Sequence, residues 1–361
     1  MTTTKTTTAA GRRGGRLLVA LALGLAAAVG TACGSAKSAS DPAVRADGSV
    51  DLSKVTLRVG DQKGTGVQAL LQAAGELGNL PYKITWPQFT SGPPLLESIN
   101  AGAVDIGGVG NAPPVFAAAA GSRIKIVTSY QAGLSGQAIV VPKDSPLKRP
   151  ADLRGKRIAV AKGSSANYHL LTVLTKAGLR FADVRAEYLQ PADALAALSA
   201  HRVDAWAIWD PYTAQAQQQE GARVLVDGNG YVQGDAFFVA GDKALADKAR
   251  AAALRDFVGR IQRAHTWVNT HPGQWASTYA RLTGLPYGVM LTAVKRDPYR
   301  DHPIDGTVIA GEQQVADAFA AAKLLPGKVT MANFVDDRFN DLAARSAGAP
   351  ASTRPTSTHT S

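Results

Sequence analysis

Short apolar runs alternate with stretches of helical period along most of this chain. Val55-Thr56-Leu57-Arg58-Val59-Gly60 alternates with period two and predicts a first strand. A helix is expected over Val67 to Leu77, then a strand at Ile84-Thr85-Trp86. Prolines at Pro93-Pro94 stand where a helix's first turn tolerates them, ahead of Leu95 to Ile99. Val104 to Gly110 predicts a strand, Val115 to Ala120 a helix and Ile124 to Ser129 another strand. The same alternation resumes after Gln137 to Pro142, with strands at Arg157–Val160, Glu187–Leu189, Ala205–Ile208 and Val224–Val226. Helices are expected between them at Tyr168–Lys176, Asp193–Ser199 and from Asp210-Pro211 onward. Around Asp235 to Val239 the chain is expected to return to the first lobe. From Lys243 the pattern turns helical: Leu254, Phe257, Ile261, Ala264 and Val268 form an i, i+3/i+4 stripe that His271-Pro272-Gly273 ends. Further helices are expected around Leu282–Lys295 and Glu312–Ala322, with Trp267 and Trp275 as packing residues.

One strand–turn–helix stretch carries candidate chemistry. Ile158 to Ala161 is β-branched and apolar, Lys162-Gly163-Ser164-Ser165 turns, and a helical pattern starts at once. The first N–H groups of such a helix lack internal acceptors and sit at its positive end, so they suit an anion. The G-x-x-x-x-G-K-[ST] spacing of a phosphate loop is absent. A shift of 99 residues finds the arrangement again: Lys63-Gly64-Thr65 pairs with Lys162-Gly163-Ser164, Val104-Asp105 with Val203-Asp204, and Asn111 with Asp210. No gap is needed over more than fifty residues, and the period occurs only twice, so two related α/β lobes are expected rather than an array.

At 361 residues the chain can bury a large core, and its 45% hydrophobic and 19% charged residues are ordinary for a globular protein. Of the net charge of +11, four units come from Lys5, Arg12, Arg13 and Arg16. No dense basic block with interleaved aromatics remains, which excludes a nucleic-acid binder; a modest positive field helps collect small anions. Residues 1–32 read as an export signal, because an apolar run from Leu17 to Val29 follows the arginines and is too short to span a bilayer. Gly30-Thr31-Ala32-Cys33-Gly34 resembles a bacterial lipobox, so Cys33, the sole cysteine, is the expected lipidation site. Residues 33–54 then form a flexible tether, and residues 343–361, poor in large apolar side chains, a disordered tail.

Four stretches together carry a family resemblance: Phe89 to Glu97, Val141-Pro142-Lys143-Asp144-Ser145-Pro146-Leu147, Lys162 to Ala166, and Val203 to Pro211. In this order and spacing they resemble the aliphatic-sulfonate-binding proteins of ABC transporters, which belong with the taurine- and nitrate-binding receptors. The resemblance runs from about Val55 to Phe238 and more loosely to about Phe339. It implies an α/β, two-lobed periplasmic-binding-protein fold (type II, Venus flytrap), with 55–136 and 235–342 as lobe 1 and 137–234 as lobe 2. It also implies an alkanesulfonate ligand captured between the lobes, a permease and ATPase as partners, a monomer, and no cofactor.

Ligands of open α/β sheets bind beyond the carboxyl ends of the strands, where the marked turns lie. The expected ligand-binding residues are Gln62, Lys63, Gly64, Ser91, Gly92, Pro93 and Asn111 from lobe 1, with Gln137, Gly163, Ser164, Ser165, Trp209 and Asp210 from lobe 2. A sulfonate has three acceptor oxygens and no donor, so helix starts, serines and amides suit it. Trp209 is a wall for the alkyl part or a packing residue; Lys63 and Lys162 read more readily as solvated lysines, Asp210 as a helix cap, and Asp105 and Asp204 as turn formers. In the family resembled, the position of Asn111 is often aspartate and that of Gln137 often glutamate. Two amides there imply a preference for unsubstituted alkanesulfonates over taurine, whose ammonium would lack a counter-charge. Receptors for taurine, nitrate or another small anion are the nearest alternatives. An enzyme of the same fold acting on a small heterocycle is a further one, disfavoured because there is no H-E-x-x-H and His169, His201, His265, His271 and His302 are too scattered to hold a metal.

Overall fold

The computed structural model describes residues 42–63 and 66–343. The export signal, Cys33, the first part of the tether, Gly64 and the tail beyond Ala343 lie outside the described residues.

The chain forms β1 (Thr56–Gln62), α1 (Val67–Ala73), β2 (Lys83–Thr85), β3 (Gln88–Phe89), α2 (Gly92–Asn100), β4 (Ile106–Gly110), α3 (Ala112–Ala119) and β5 (Ile124–Gln131). It continues with β6 (Ala138–Val141), β7 (Arg157–Val160), α4 (Ser165–Lys176), β8 (Arg185–Tyr188), α5 (Pro191–Ser199), β9 (Ala205–Ile208), α6 (Tyr212–Gln219) and β10 (Arg223–Asp227). After β11 (Asp235–Gly241) come α7 (Asp242–Ala246), α8 (Lys248–Thr270), α9 (Pro272–Thr283), α10 (Tyr287–Arg296), β12 (Arg300–His302) and α11 (Gly306–Ala321).

The strands make two mixed sheets. One has the order β12-β5-β11-β4-β1-β2, with β3 also on β1; the other is β10-β6-β9-β7-β8. In the first sheet β1 runs parallel to β2 and β4, and the returning strand β11 lies antiparallel between β4 and β5. The second sheet repeats this plan, with β7 parallel to β8 and β9, and β6 antiparallel between β9 and β10. Each sheet thus takes in an antiparallel strand next to a crossing, and in the first sheet β12 adds a second one on the edge beside β5. The molecule is an α/β protein of two lobes.

Both faces of the central strands are covered, so β4, β6, β9 and β11 read as nearly unbroken apolar runs, whereas β2 and β8 at the sheet edges keep exposed polar residues. Successive residues of a strand point to opposite faces. Phe238 accordingly packs with Leu57, Phe257 and Trp275 beneath α8 and α9, while Phe237 packs with Leu95, Val109 and Phe319 beneath α2 and α11. In the second lobe Ile139 and Ile158 belong to one core cluster, and Val140 and Ala159 to the other.

The repeat of 99 residues is physical. Helices α2 and α5 occupy positions related by that shift to the residue. Asp105 accepts a hydrogen bond from the Arg58 backbone N–H at 2.8 Å, and Asp204 does the same for Arg157 at 2.8 Å. Each aspartate also binds the guanidinium of its arginine. From the bends that precede β4 and β9, both therefore also clamp the entry of one strand to the start of its neighbour.

Two expectations need correction. Residues 42–54 of the expected tether are folded: Ala43 is buried, Val44 bridges Val50, and Lys248 reaches the Gly48 carbonyl. The helix expected around Leu282–Lys295 is two helices. Gly284 closes α9 in the left-handed region (φ 71°), and Pro286 precedes α10. Pro272, taken as a helix stop, also opens α9 at the position where a first turn accepts proline.

Candidate ligand-binding site

The carboxyl ends of the parallel strands in both sheets face one cavity of about 930 Å³, its open mouth included. Gln62, Gly92 and Asn111 line it from the first lobe, and Ser164, Ser165, Trp209 and Asp210 from the second. Gln137, on the crossing between lobes, lines it as well and donates to the Ser165 carbonyl at 3.3 Å. The other expected residues lie elsewhere. Ser91 donates its hydroxyl to Gln190, Lys63 lines a separate cavity beside Tyr279, and Pro93 and Gly163 are absent from the lining.

Which helix starts are open decides where an anion can sit. The α1 start is closed: Asp61 accepts from the N–H groups of Gln62, Val67 and Gln68, while burial pushes its carboxyl upward against those bonds. The α6 start is closed too: the Tyr212 and Thr213 N–H groups bond the Trp209 carbonyl and Asp210 accepts from the Ala214 N–H at 2.9 Å, whereas in α4 the Ser165 and Ala166 N–H groups have no such partner among the described residues. Helices α2, α3 and α4 begin at the cavity, at Gly92, after Asn111 and at Ser165. Neither Ser91 nor Asn111 caps its helix through the side chain. In the first turns of α2 and α3 two prolines replace N–H donors, so Gly92 and Ala112 carry most of what remains.

In α4 the two serines divide the work. The Ser164 hydroxyl donates to the Ala161 carbonyl at 2.7 Å and accepts from the Asn167 N–H at 3.2 Å. Asn167 in turn takes the Gly163 N–H at 3.0 Å, so Gly163 shapes the turn and has no donor left. Its positive φ of 72° and the Phe116 ring 3.1 Å from where a Cβ would stand explain the glycine. The Ser165 hydroxyl has no protein partner among the described residues and faces the cavity.

The electrostatics hold a surprise for an anion site. Asp210, Asp235 and Asp297 all line the cavity, and no lysine or arginine does. Arg296 stands just behind, 3.6 Å from Asp210. Burial raises the Asp210 carboxyl to about 6 against the pull of Arg296, and burial raises Asp297 to about 6 against the Gly133 N–H. Lys162, outside the cavity, lies over the Tyr188 ring. Tyr130 and Tyr299 complete the walls with Trp209, which also packs edge-on against Tyr212.

The sequence reading missed Tyr130, Asp235, Asp297 and Tyr299. One signal was available: Asp297-Pro298-Tyr299 repeats the tripeptide Asp210-Pro211-Tyr212. Among the described residues no group of histidine, cysteine and carboxylate side chains could hold a metal.

Residues 90–275 match the model of the family described as NMT1/THI5 like. The chain belongs to this family. Over 281 residues it is 38% identical to an aliphatic sulfonates-binding protein of Escherichia coli (strain K12), covering 77% of this chain and 87% of that one. Among solved structures it is similar to the alkanesulfonate-binding protein SsuA from Xanthomonas axonopodis pv. citri bound to MOPS. That match has 36% identity and a TM-score of 0.73 over 78% of this chain and 98% of the other. The desulfurization enzyme DSZB shares the fold at 18% identity and a TM-score of 0.57, covering 80% of this chain and 99% of that one. For a member of the NMT1/THI5-like family, the cavity between the two sheets is therefore the place to seek the ligand.

Proposed function

We propose that this protein is the extracytoplasmic solute receptor of an ABC importer and captures an aliphatic sulfonate between its lobes. The observation that carries the reading is the set of open helix starts at α2, α3 and α4 around one cavity. They offer N–H donors, with the Ser165 hydroxyl, to an anion that has three acceptor oxygens and no donor. The names of the relatives supply the sulfonate class. An enzymatic reading, which the shared fold of a desulfurization enzyme keeps in view, has less support: the cavity holds no cysteine, and His302 beside it is held by Asp235 and Ser129. Calorimetric titration with propanesulfonate tests the function directly. Ser165→Ala removes one hydroxyl donor and should weaken binding by roughly tenfold, about 1.4 kcal/mol. Ser164→Ala should instead lower stability by about 1 kcal/mol through the lost cap, with a smaller effect on affinity. The opposite pattern would place the anion elsewhere.

The periplasmic aliphatic sulphonate binding protein SsuA from Escherichia coli, 35% identical to this chain, supports export, and we infer lipid anchoring at Cys33. Mass spectrometry of protein extracted from its native membrane should find an acylated cysteine at the mature N-terminus. A soluble product with Cys33 removed or unmodified overturns the anchor and leaves the receptor role standing.

A further inference from the structure

Capture between two lobes brings buried surface together, and one carboxyl stands where that burial is felt. Glu312, on α11 of the first lobe, is only 3% exposed, and its Oε1 has no hydrogen-bond partner. It shares a helix face with Val308, Val315 and Phe319. Against that face lies α4 of the second lobe, whose Leu171 joins the same apolar cluster as Val315 and Phe319. The Tyr168 ring of α4 is 5.9 Å from that of Phe319. The neighbouring Gly311 lies against Gln233, at the end of the second lobe, so closely that a Cβ would stand 2.5 Å from the Gln233 Oε1. Part of the cover over Glu312 therefore belongs to the other lobe.

No cation among the described residues answers this carboxyl. The charge that reaches it is that of Asp235 on β11, of like sign, and Asp235 is itself held by His302 of β12 at 3.2 Å. Helix α4 presents the Tyr168 phenol, while its His169 and Lys176 turn to the carbonyls of Asp227 and Gly230. Helix α3 and the short helix Met331–Phe334 carry no ionisable side chain. On α11 itself, Asp317 accepts from Gln313. Burial first, and Asp235 second, raise the Glu312 carboxyl well above the usual carboxylate range. An unpaired carboxylate there would be costly, so the group is neutral while the lobes are together.

We propose that Glu312 is a proton-binding site coupled to capture: its carboxylate takes one proton from solvent as the lobes close and returns it as they part. This rests on the reading of the protein as a two-lobed receptor. The proton is a second ligand, bound apart from the first, because Glu312 does not line the cavity. Below the open-state value the carboxyl is already neutral and closure is unopposed; as pH rises toward the closed-state value, closure must first draw in the proton. Affinity therefore falls with rising pH, by at most about tenfold per unit for one proton.

Calorimetric titration with propanesulfonate, in sulfonate-free buffers of different ionisation enthalpy, counts the protons taken up on binding. At about pH 7 the unaltered protein should take up more protons per ligand than Glu312→Gln, whose amide stays neutral. The two should bind alike near about pH 5, and the variant about tenfold more tightly near about pH 8. Should Glu312→Gln melt early, Glu312→Leu is measured in its place, with the same trend expected. Equal proton counts, or an affinity ratio that stays constant with pH, overturn the proposal; a carboxyl that only fills the core gives that constant ratio. Failure of propanesulfonate to bind would sink the sulfonate reading, and small-angle scattering on the ligand-free protein then decides the proton site. The unaltered protein should expand between about pH 5 and about pH 8 and Glu312→Gln should not, whereas equal behaviour of the two overturns it.

Discussion

Asp105→Ala is expected to destabilise the protein by about 2–3 kcal/mol, and Asp204→Ala by about 1 kcal/mol or less, although the two residues hold equivalent places. Each accepts from the backbone N–H of the neighbouring strand and from an arginine side chain. The difference is burial. The Asp105 side chain is 2% exposed and meets Arg58 and also Arg250, whereas the Asp204 side chain is 35% exposed. Removing one member of a buried pair strands the other and leaves the Arg58 N–H unpaired; at a solvated pair water takes over. The estimate for Asp105 stays below the full cost of a buried pair because Arg58 is itself 34% exposed. Thermal unfolding should show a drop of roughly 3–5 °C for Asp105→Ala and about 2 °C or less for Asp204→Ala. Equal shifts would mean that the hydrogen-bond pattern, not burial, sets the cost.

Much of the fold was legible because covered sheets leave a plain trace. Arg157–Val160 and Ala205–Ile208 are strands at the residues their apolar runs mark, since both faces of each are packed and no polar position interrupts them. The internal repeat was legible for a related reason: Val104-Asp105 and Val203-Asp204 recur because the same strand-to-strand clamp is built twice. Where a residue serves two roles the sequence misleads. Pro272 both ends α8 and opens α9, and no local pattern separates the two.

The candidate site was half legible. Turns after strands announce themselves by glycine and serine, so Gly92, Asn111, Ser165 and Trp209 could be placed from their neighbours in sequence. Asp297 and Tyr299 follow a helix more than 80 residues from Asp210, and only the folding of that loop against the crossing at Gly133 brings them to the cavity. The sequence also could not say that Asp61 closes α1 while α4 stays open. That depends on which carboxylate lies within reach of which N–H, and the repeat itself suggested the opposite symmetry.

Gly110→Val should reduce ligand affinity by at least about a hundredfold, roughly 2.7 kcal/mol. Gly110 ends β4 in the first lobe, and a Cβ there would stand 2.9 Å from both the Cβ and the hydroxyl of Ser165, which begins α4 in the second. Nearby, Thr90 and Ser91 both donate to Gln190 at 2.9 Å, and Ser91 and Gln190 are themselves related by the 99-residue shift. Equivalent positions of two repeats touch only where the pseudo-twofold relation passes between them, so this edge is where the lobes meet. A branched side chain at Gly110 would hold β4 away from α4 and part the donors that each lobe brings to the anion. An open state that cannot close loses affinity in proportion to the closed population removed. Small-angle scattering should show the unaltered protein contracting on saturation with ligand and the variant failing to contract. Without ligand the two should melt within a few degrees of each other, because the clash belongs to the interface between the lobes and not to either core. Undiminished affinity in Gly110→Val would mean that binding does not require this approach of the lobes.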